Sequence, residues 1–348
     1  AKRAFLTNTM PPAPKQQNVV PKKAPASKPA NTAPAPVVPD PIILTDKPVT
    51  INDLKHSYCI GCTACYNTCP VNAISLSRDD QGFVTPVIDN GKCVKCKKCV
   101  SACPVMSTKY TNTSNPKCYA AMAEDEIRMN SSSGGMFTLI AEHIIDNGGY
   151  VAGATLGEDF IVQHIIVDNK DDLGKLRGSK YVQSYLGDTF RKVKELLDDN
   201  KLVLFTGCPC QVAGLYGMLG KKHYDNLITV DLVCHGAPSQ KSFSRYIEEK
   251  YGTENLADFK FRTKKFGYSS FNQIAYLKDG TEVPSNFKFD EYEKAMHTGV
   301  ALKDVCGDCM FASAPRQGDI SIGDCWGVSQ FNVNYNDHKG TSAILINN

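Results

Sequence analysis

Cys59-x2-Cys62-x2-Cys65-x3-Cys69-Pro70 recurs as Cys93-x2-Cys96-x2-Cys99-x3-Cys103-Pro104, and this doubled quartet constrains the chain more than any other feature. Eight thiols in so short a stretch leave little room for an apolar core, so what the thiols bind must organise the segment. Three thiolates spaced two residues apart can wrap one face of a cubane, and in a doubled array the fourth reaches across to the other cubane. The spacing predicts one 4Fe-4S cluster on Cys59, Cys62, Cys65 and Cys103, and a second on Cys93, Cys96, Cys99 and Cys69. Structural zinc sites use two pairs rather than two quartets and fit less well. Neither cluster keeps an open ligand position, so the segment should carry electrons rather than perform chemistry.

Residues 57–105 resemble bacterial-type two-cluster ferredoxins along the whole stretch. The remaining composition agrees with a redox protein. The chain has 348 residues and 15 cysteines, an odd number that no fully paired disulfide framework accommodates. No secretory signal with an apolar core opens the sequence. Cysteine at this density then points to metal or redox sites in a reducing compartment, the cytoplasm or alternatively a reducing organelle matrix.

The formal charge of +3 is unevenly placed. Residues 1–50 hold seven Lys/Arg against two Asp/Glu, which leaves the rest at a net −2. A slightly acidic body lacks the electrostatic footprint of a nucleic-acid binder. No stretch approaches the ~18 consecutive apolar residues of a membrane span.

Three segments follow. Residues 1–50 form a tether: positions 1–48 contain 11 of the 19 prolines and eight alanines, and proline at that density defeats helices and strand ladders. An organelle transit peptide would also be poor in acids, but it would be rich in Arg and Ser, and this stretch has one of each. Residues 51–110 are the ferredoxin domain. Residues 117–348 read as an α/β domain with antiparallel additions, so the expected class overall is α+β. Strands are predicted at 117–123, 149–156, 160–167, 201–206, 227–233, 258–262 and 273–278, with a hairpin turn at Lys278-Asp279-Gly280-Thr281. Helices are predicted at 135–147, with Phe137, Ile140, Ile144 and Ile145 inward, and at 188–200, 211–219 and 239–251.

Seven cysteines remain: Cys118, Cys208, Cys210, Cys234, Cys306, Cys309 and Cys325. Cys210 and Cys234 each follow a buried strand, which sets them side by side at the carboxyl edge of the sheet, where open α/β sheets build sites. Cys306-x2-Cys309 reads alone as a zinc half-site, a redox dithiol or two cluster ligands. Together the four supply enough thiolates for one more cluster.

Six ordered motifs then carry a resemblance. They are Ser131-Ser132-Ser133-Gly134-Gly135-Met136-Phe137, Gly178-Ser179-Lys180-Tyr181-Val182-Gln183-Ser184, Gly207-Cys208-Pro209-Cys210-Gln211, Asp231-Leu232-Val233-Cys234-His235-Gly236, the Cys306/Cys309 pair, and Asp319 to Gly327. From about Cys118 onward the chain is similar to the beta-subunit family of coenzyme F420-reducing hydrogenases and dehydrogenases. The resemblance implies a third 4Fe-4S cluster on Cys210, Cys234, Cys306 and Cys309. It also implies FAD, with Ser132, Ser133, Gly134, Gly135, Ser179, Lys180, Tyr181, Gln183, Gly207, Pro209 and Gln211 as cofactor-binding residues. No G-x-G-x-x-G follows a strand, but Ser133-Gly134-Gly135 opens a helix whose amides and dipole suit a pyrophosphate.

Lys180, Tyr181 and His235 are the candidate catalytic residues. Lys180 would place positive charge near the flavin, and His235 would contact cluster or flavin or move a proton. Arg262 and Lys264 resemble a basic family motif for an anionic substrate. The other six histidines lack ligand spacing. Three departures from the family stand out: Cys208 adds a thiol beside Cys210, Cys325 replaces an aromatic before Trp326, and the sequence stops at Asn348 where relatives continue.

The expected function is an iron–sulfur flavoprotein oxidoreductase that joins a hydride carrier, F420-like or nicotinamide, to one-electron carriers. Its partners would be that coenzyme or a small-molecule substrate, and a redox protein or an oxidoreductase joined through the tether. The alternatives are a non-catalytic electron-transfer module and a ferredoxin-dependent reductase of an organic acceptor.

Overall fold

The computed structural model describes residues 42–107, 112, 115–220, 222–268 and 272–348. Residues 1–41, most of the expected tether, lie outside them. The last part of that segment is packed rather than free. The Leu44 amide donates to the Asp53 carbonyl at 2.7 Å, Ile43 bridges Leu54, and Ile42 lies against the cysteine-lined core.

The cysteine-rich half contains two one-turn helices, α1 (Ala64–Thr68) and α2 (Lys98–Ala102), and an antiparallel hairpin of β1 (Ile74–Arg78) with β2 (Val84–Ile88). Its sequence repeat is also a backbone repeat. Gly61 and Lys95 have φ of 68° and 54°, and Thr63 and Lys97 both have φ of 63°. These left-handed residues wind each cysteine run inward. Ile51, Leu54, Ile74 and Val105 fill the remaining volume around Cys65, Cys99 and Cys103.

Seventeen further elements build the larger part. In chain order they are β3 (Lys117–Ala121), α3 (Asp125–Met129), α4 (Met136–Asp146), β4 (Tyr150–Leu156), β5 (Val162–Val167), α5 (Leu173–Leu176), α6 (Thr189–Asp198), β6 (Val203–Gly207) and α7 (Pro209–Leu219). They continue with β7 (Leu227–Leu232), α8 (Gln240–Tyr251), β8 (Leu256–Thr263), β9 (Asn272–Leu277), β10 (Glu282–Asn286), α9 (Glu291–His297), β11 (Ile320–Asp324) and β12 (Ser342–Ile346).

A seven-stranded sheet runs in the order β3-β12-β11-β7-β6-β4-β5. Its four central strands are parallel, and β5, β12 and β3 join antiparallel at the flanks. Side chains alternate across it with the two-residue period of a strand. Val203 and Phe205 of β6 meet Phe190, Val193, Val212 and Leu215 of α6 and α7, while Leu204 meets Met136, Ala141 and Ile144 of α4. The apolar run is thus buried on both faces, as a central parallel strand requires. A second antiparallel sheet, β10-β9-β8, packs Phe259 and Phe261 against Phe243 and Ile247 of α8. The mixed class expected from sequence is what forms: a small cysteine-rich unit followed by a larger α/β unit with antiparallel additions.

The two parts meet along α6 and α7. A Cβ on Gly217 would stand 2.1 Å from the Ala102 carbonyl oxygen, so only glycine allows α2 this close. Arg191 of α6 donates to the Asn67 carbonyl at 2.9 Å and the Tyr66 carbonyl at 2.6 Å, at the end of α1. Asn67 in turn donates to the Gly187 carbonyl at 2.8 Å. Among the described residues, no helix is long and apolar enough to cross a membrane.

Candidate metal and cofactor sites

Each cysteine quartet lines a small cavity. Cys59, Cys62, Cys65 and Cys103 line the first. Cys69, Cys93, Cys96 and Cys99 line the second. The fourth cysteine of each run has crossed to the other group, the exchange that the spacing predicts. Cys65 interacts electrostatically with Cys62, Cys59 and Cys103 and also with Cys99 of the second group, so the cavities are neighbours. A single ion would draw its thiolates onto bonds of about 2.3 Å. Among the described residues no three His, Cys, Asp or Glu side chains converge that way. Burial, reinforced by nearby sulfurs, pushes the Cys62 and Cys65 thiols up, and burial pushes Cys103 to about 11. Metal ligation needs the thiolate, so loading must exchange protons for iron.

A third group collects at the carboxyl ends of β6 and β7. The Sγ atoms of Cys208 and Cys234 lie 3.7 Å apart. Cys210 interacts with Cys234, Cys309 and Cys306, and also with Cys62 of the first cavity. The structure therefore gathers five thiols, the four expected and Cys208. The hydrogen bond between Cys208 and Cys234 raises the Cys208 thiol and lowers Cys234 to about 7. Cys118 is exposed on β3. Burial alone raises the Cys325 thiol, with no contribution from another cysteine.

The start of α7 fixes this group. Cys208 is the N-cap, its sulfur accepting the Gln211 amide, while its own amide donates to Gln211 Oε1 at 2.9 Å. Pro209 fills the first helical position, where its missing N–H costs nothing. Gly207 keeps the turn open, since a Cβ there would meet Gln211 Oε1 at 2.9 Å. Gly207, Pro209 and Gln211, expected at the cofactor, thus shape the turn that aims Cys208 and Cys210.

A buried ion pair ties the loop carrying Cys306 and Cys309 to the same edge. Arg316 Nη2 donates to Asp231 Oδ1 and to the Leu232 carbonyl, each at 2.8 Å. Asp231 Oδ2 accepts the Gln317 and Gly318 amides at 3.0 and 2.8 Å. Asp231 is fully buried. The sequence displays Asp231 within a motif but gives no sign of its partner across the chain.

A polar ring lies beside this edge. Ser132 Oγ accepts from the Ser179 amide at 2.8 Å and from its hydroxyl at 2.9 Å, joining two of the sequence motifs. The Tyr181 hydroxyl is raised by burial and interacts with Arg262, Ser179, Glu293 and Asp324. Arg262 Nη1 donates to Asp324 Oδ2 at 2.7 Å and lies over the Tyr268 ring at 5.1 Å. Tyr268 stacks on Trp326 with centroids 5.2 Å apart. Glu293 is fully buried, with His297 Nε2 3.3 Å from its Oε2. Burial and the Asp290 charge raise its carboxyl to about 8, against the pull of Arg262. His235, next to Cys234, has its ring 5.9 Å from that of His297. His297 thus links the ring to the five-thiol basin, a role invisible in its local sequence.

The serine–glycine loop is held by groups that sequence reasoning missed or placed elsewhere. The Lys264 ammonium donates to the Arg128 and Ser133 carbonyls, so it braces the loop rather than reaching into solvent for a substrate. Arg128, almost completely buried, forms a two-pronged pair with Asp337 and donates to the Gly340 carbonyl at 2.6 Å. A Cβ on Gly134 would stand 2.4 Å from the Ala121 carbonyl, and Gly135 has φ of 91°, so both glycines are required by the path. The Gly134 amide already donates to Ser342 Oγ at 2.9 Å, and Ser133 Oγ donates to the Thr341 carbonyl at 3.0 Å.

Two other expected residues point elsewhere. Gln183 is buried and its Oε1 accepts the Val84 amide at 2.8 Å, latching β2 of the cysteine-rich half. Lys180 Nζ donates to the Lys175 and Arg177 carbonyls at 3.0 and 2.8 Å, closing the end of α5, and burial lowers its ammonium to about 7. Backbone groups hold both side chains, an amide donor for Gln183 and two carbonyl acceptors for Lys180. His164 is a satisfied core histidine, with Ser184 Oγ and the Thr206 carbonyl on its two nitrogens.

Three family models match the chain. Residues 58–107 match the 4Fe-4S dicluster domain. Residues 118–189 and 200–348 match the N-terminal and C-terminal parts described as coenzyme F420 hydrogenase/dehydrogenase, beta subunit. No curated protein matches the chain. Among solved structures, a chain of the F420-reducing NiFe hydrogenase complex from Methanosarcina barkeri is similar at 19% identity. The match covers 66% of this chain and 74% of that one, with a TM-score of 0.46.

Proposed function

Since the chain belongs to the coenzyme F420 hydrogenase/dehydrogenase beta-subunit family and carries a 4Fe-4S dicluster domain, we propose that it passes electrons between a two-electron hydride carrier and one-electron carriers through bound FAD. The carrier is a coenzyme of the F420 type or a nicotinamide. The observation that supports this reading is continuity. The polar ring reaches the five-thiol basin through Glu293, His297 and His235, the basin reaches the first cavity through Cys210 and Cys62, and the first cavity reaches the second through Cys65 and Cys99.

In this reading Cys59, Cys62, Cys65 and Cys103 hold one cluster, and Cys69, Cys93, Cys96 and Cys99 hold the next. Cys210, Cys234, Cys306 and Cys309 hold the third. FAD supplies the conversion of electron pairs into single electrons. Ser132, Ser133, Gly134, Gly135 and Ser179 would hold it, with Tyr181 and Arg262 supplying a hydroxyl and a positive charge beside them. Arg262, fixed by Asp324, provides the positive charge that the sequence suggested for Lys180. His235 and His297 sit between ring and basin, where a proton can be held near the hydride-accepting site.

Metal and flavin analysis of the reconstituted protein tests the reading. Roughly twelve irons and one flavin per chain are expected from three four-iron clusters, with reduction by F420H2 or NAD(P)H. Roughly eight irons and no flavin would leave a ferredoxin joined to an inert domain and overturn the proposal.

A further inference from the structure

The cavity of Cys69, Cys93, Cys96 and Cys99 is the last in the proposed order and holds Cys96, the one exposed cysteine among the twelve proposed ligands. Cys62, Cys65 and Cys103 of the first cavity are buried, whereas Cys96 is exposed and Cys93 half-buried. Around Cys96 the chain reads Lys92, Lys95, Lys97, Lys98. Lys92 pairs with Asp89 at 3.5 Å. Lys95, Lys97 and Lys98 are exposed and line the cavity. Among the described residues their ammonium groups make no ion pair or hydrogen bond. Four lysines against one aspartate stand here on a body whose charge beyond residue 50 is slightly negative.

An exposed lysine run is ordinarily just a solvated face, but the backbone argues otherwise at Lys95. That position corresponds in the first repeat to Gly61, and both are left-handed, with φ of 54° and 68°. Glycine adopts this conformation freely and a lysine does not. Lys95 therefore carries a side chain where the fold is better served by none.

The geometry points to this lysine rim as the docking surface for an acidic one-electron carrier protein, with Cys96 at its centre. The inference rests on the cluster order of the proposed function. A carrier with a negative face is steered onto the rim, and its centre is brought over the most exposed ligand of the outer cluster. One electron then passes between the two centres, one being oxidised as the other is reduced, with no bond made or broken. Steering of this kind raises encounter rates about 10- to 1,000-fold at low salt and fades as the Debye length contracts from about 10 Å at 0.1 M to about 3 Å at 1 M.

The test is stopped-flow electron exchange between the full iron-loaded chain and two probes, an acidic ferredoxin and a basic c-type cytochrome. Exchange with the acidic probe should slow about tenfold or more between 0.05 and 0.5 M salt, and exchange with the basic probe should not slow. Lys95→Gly, which relieves the left-handed strain and so keeps the fold, and Lys97→Glu with Lys98→Glu should each slow the acidic probe at low salt. Dithionite-reducible iron should stay unchanged in all of them. A salt-independent rate with the acidic probe, or an unaltered rate in Lys95→Gly, overturns the docking surface. A wild-type chain without dithionite-reducible iron overturns the cluster order beneath it.

Discussion

Gly214 of α7 faces Cys62 across the seam between the two halves. A Cβ on the glycine would stand 2.7 Å from Cys62 Cβ and 2.9 Å from its Sγ. Gly214 also lies one helical turn from Cys210, so the same stretch of α7 touches the first cavity and carries a thiol of the basin. Ordinarily a flexible neighbour relieves such a contact. Cys62 cannot, because its sulfur is committed to the cavity. Gly214→Ala should therefore push α7 and α1 apart, costing about 1–3 kcal/mol of overpacking strain. The expected result is a lower melting temperature, full iron content, and slower electron transfer from the flavin to the ferredoxin clusters in rapid-mixing experiments. Unchanged transfer in the alanine variant would mean that electrons do not cross at this seam.

Arg316 and Asp231 govern a different part of the path. Both are buried, and Asp231 also gathers the amides of Gln317 and Gly318. Replacing Arg316 by Met fills a similar volume but leaves a buried carboxylate without its partner, a loss of about 3–5 kcal/mol. The loop that brings Cys306 and Cys309 to the sheet edge would lose its anchor. Iron content should fall from roughly twelve to roughly eight per chain, with the ferredoxin clusters retained. A chain that keeps all its iron would show that the loop is held by other contacts.

How much of this was legible in advance follows from the range of the interactions. The crossing of Cys69 and Cys103 between cavities follows from local spacing, and so do the continuous apolar strand at β6 and the helix at α7. The strands β11 and β12 were not anticipated. Each is five residues long, and their pairing with β7 and β3 joins segments distant in sequence. No local pattern announces that partner. Lys180, Gln183 and Lys264 show the same limit at the site. Their residue types suit a cofactor pocket, yet each has a backbone carbonyl or amide within reach that only the folded chain brings near. Arg128 and Glu293 were missed because one charged residue in a short helix looks like any solvated side chain until its burial is known.

The five-thiol basin raises the question of which four bind. Cys210 interacts with Cys234, Cys309 and Cys306, and Cys208 with Cys234, Cys210 and Cys306, so both thiols lie within the group. Cys208 has a separate duty as the N-cap of α7, and serine is a favoured N-cap. Cys208→Ser should therefore preserve the helix start and leave close to the full iron content. Cys210→Ser should lose the third cluster and bring iron to roughly eight per chain. The reverse pattern in iron assays and low-temperature electron paramagnetic resonance would assign Cys208 as the ligand.

Glu293 gives the protein a distinctive dependence on pH. Asp290 on its own helix, His297 one turn on, and Arg262 and Tyr181 across from it all face the carboxyl. Burial and Asp290 raise it to about 8, from an ordinary value of 4.5. An acid whose folded value is raised stabilises the fold fully below its unfolded value and loses that contribution as pH rises through the folded one. Stability should thus fall between about pH 4.5 and 8 and level off above. His297 acts in the opposite sense below its ordinary 6.5, because burial first, then His235 and Arg262, lower it. Between pH 6.5 and 8.5 Lys180, lowered by burial to about 7, and Lys264, lowered to about 8, act in the opposite sense, so Glu293 is isolated by the difference between the wild type and Glu293→Gln, with a ceiling of about 1.4 kcal/mol per pH unit. Urea unfolding of the iron-loaded chain should show the stability of the wild type relative to Glu293→Gln declining as pH rises through that window, with iron content unchanged in the variant. Parallel declines in both proteins would place the titrating group elsewhere.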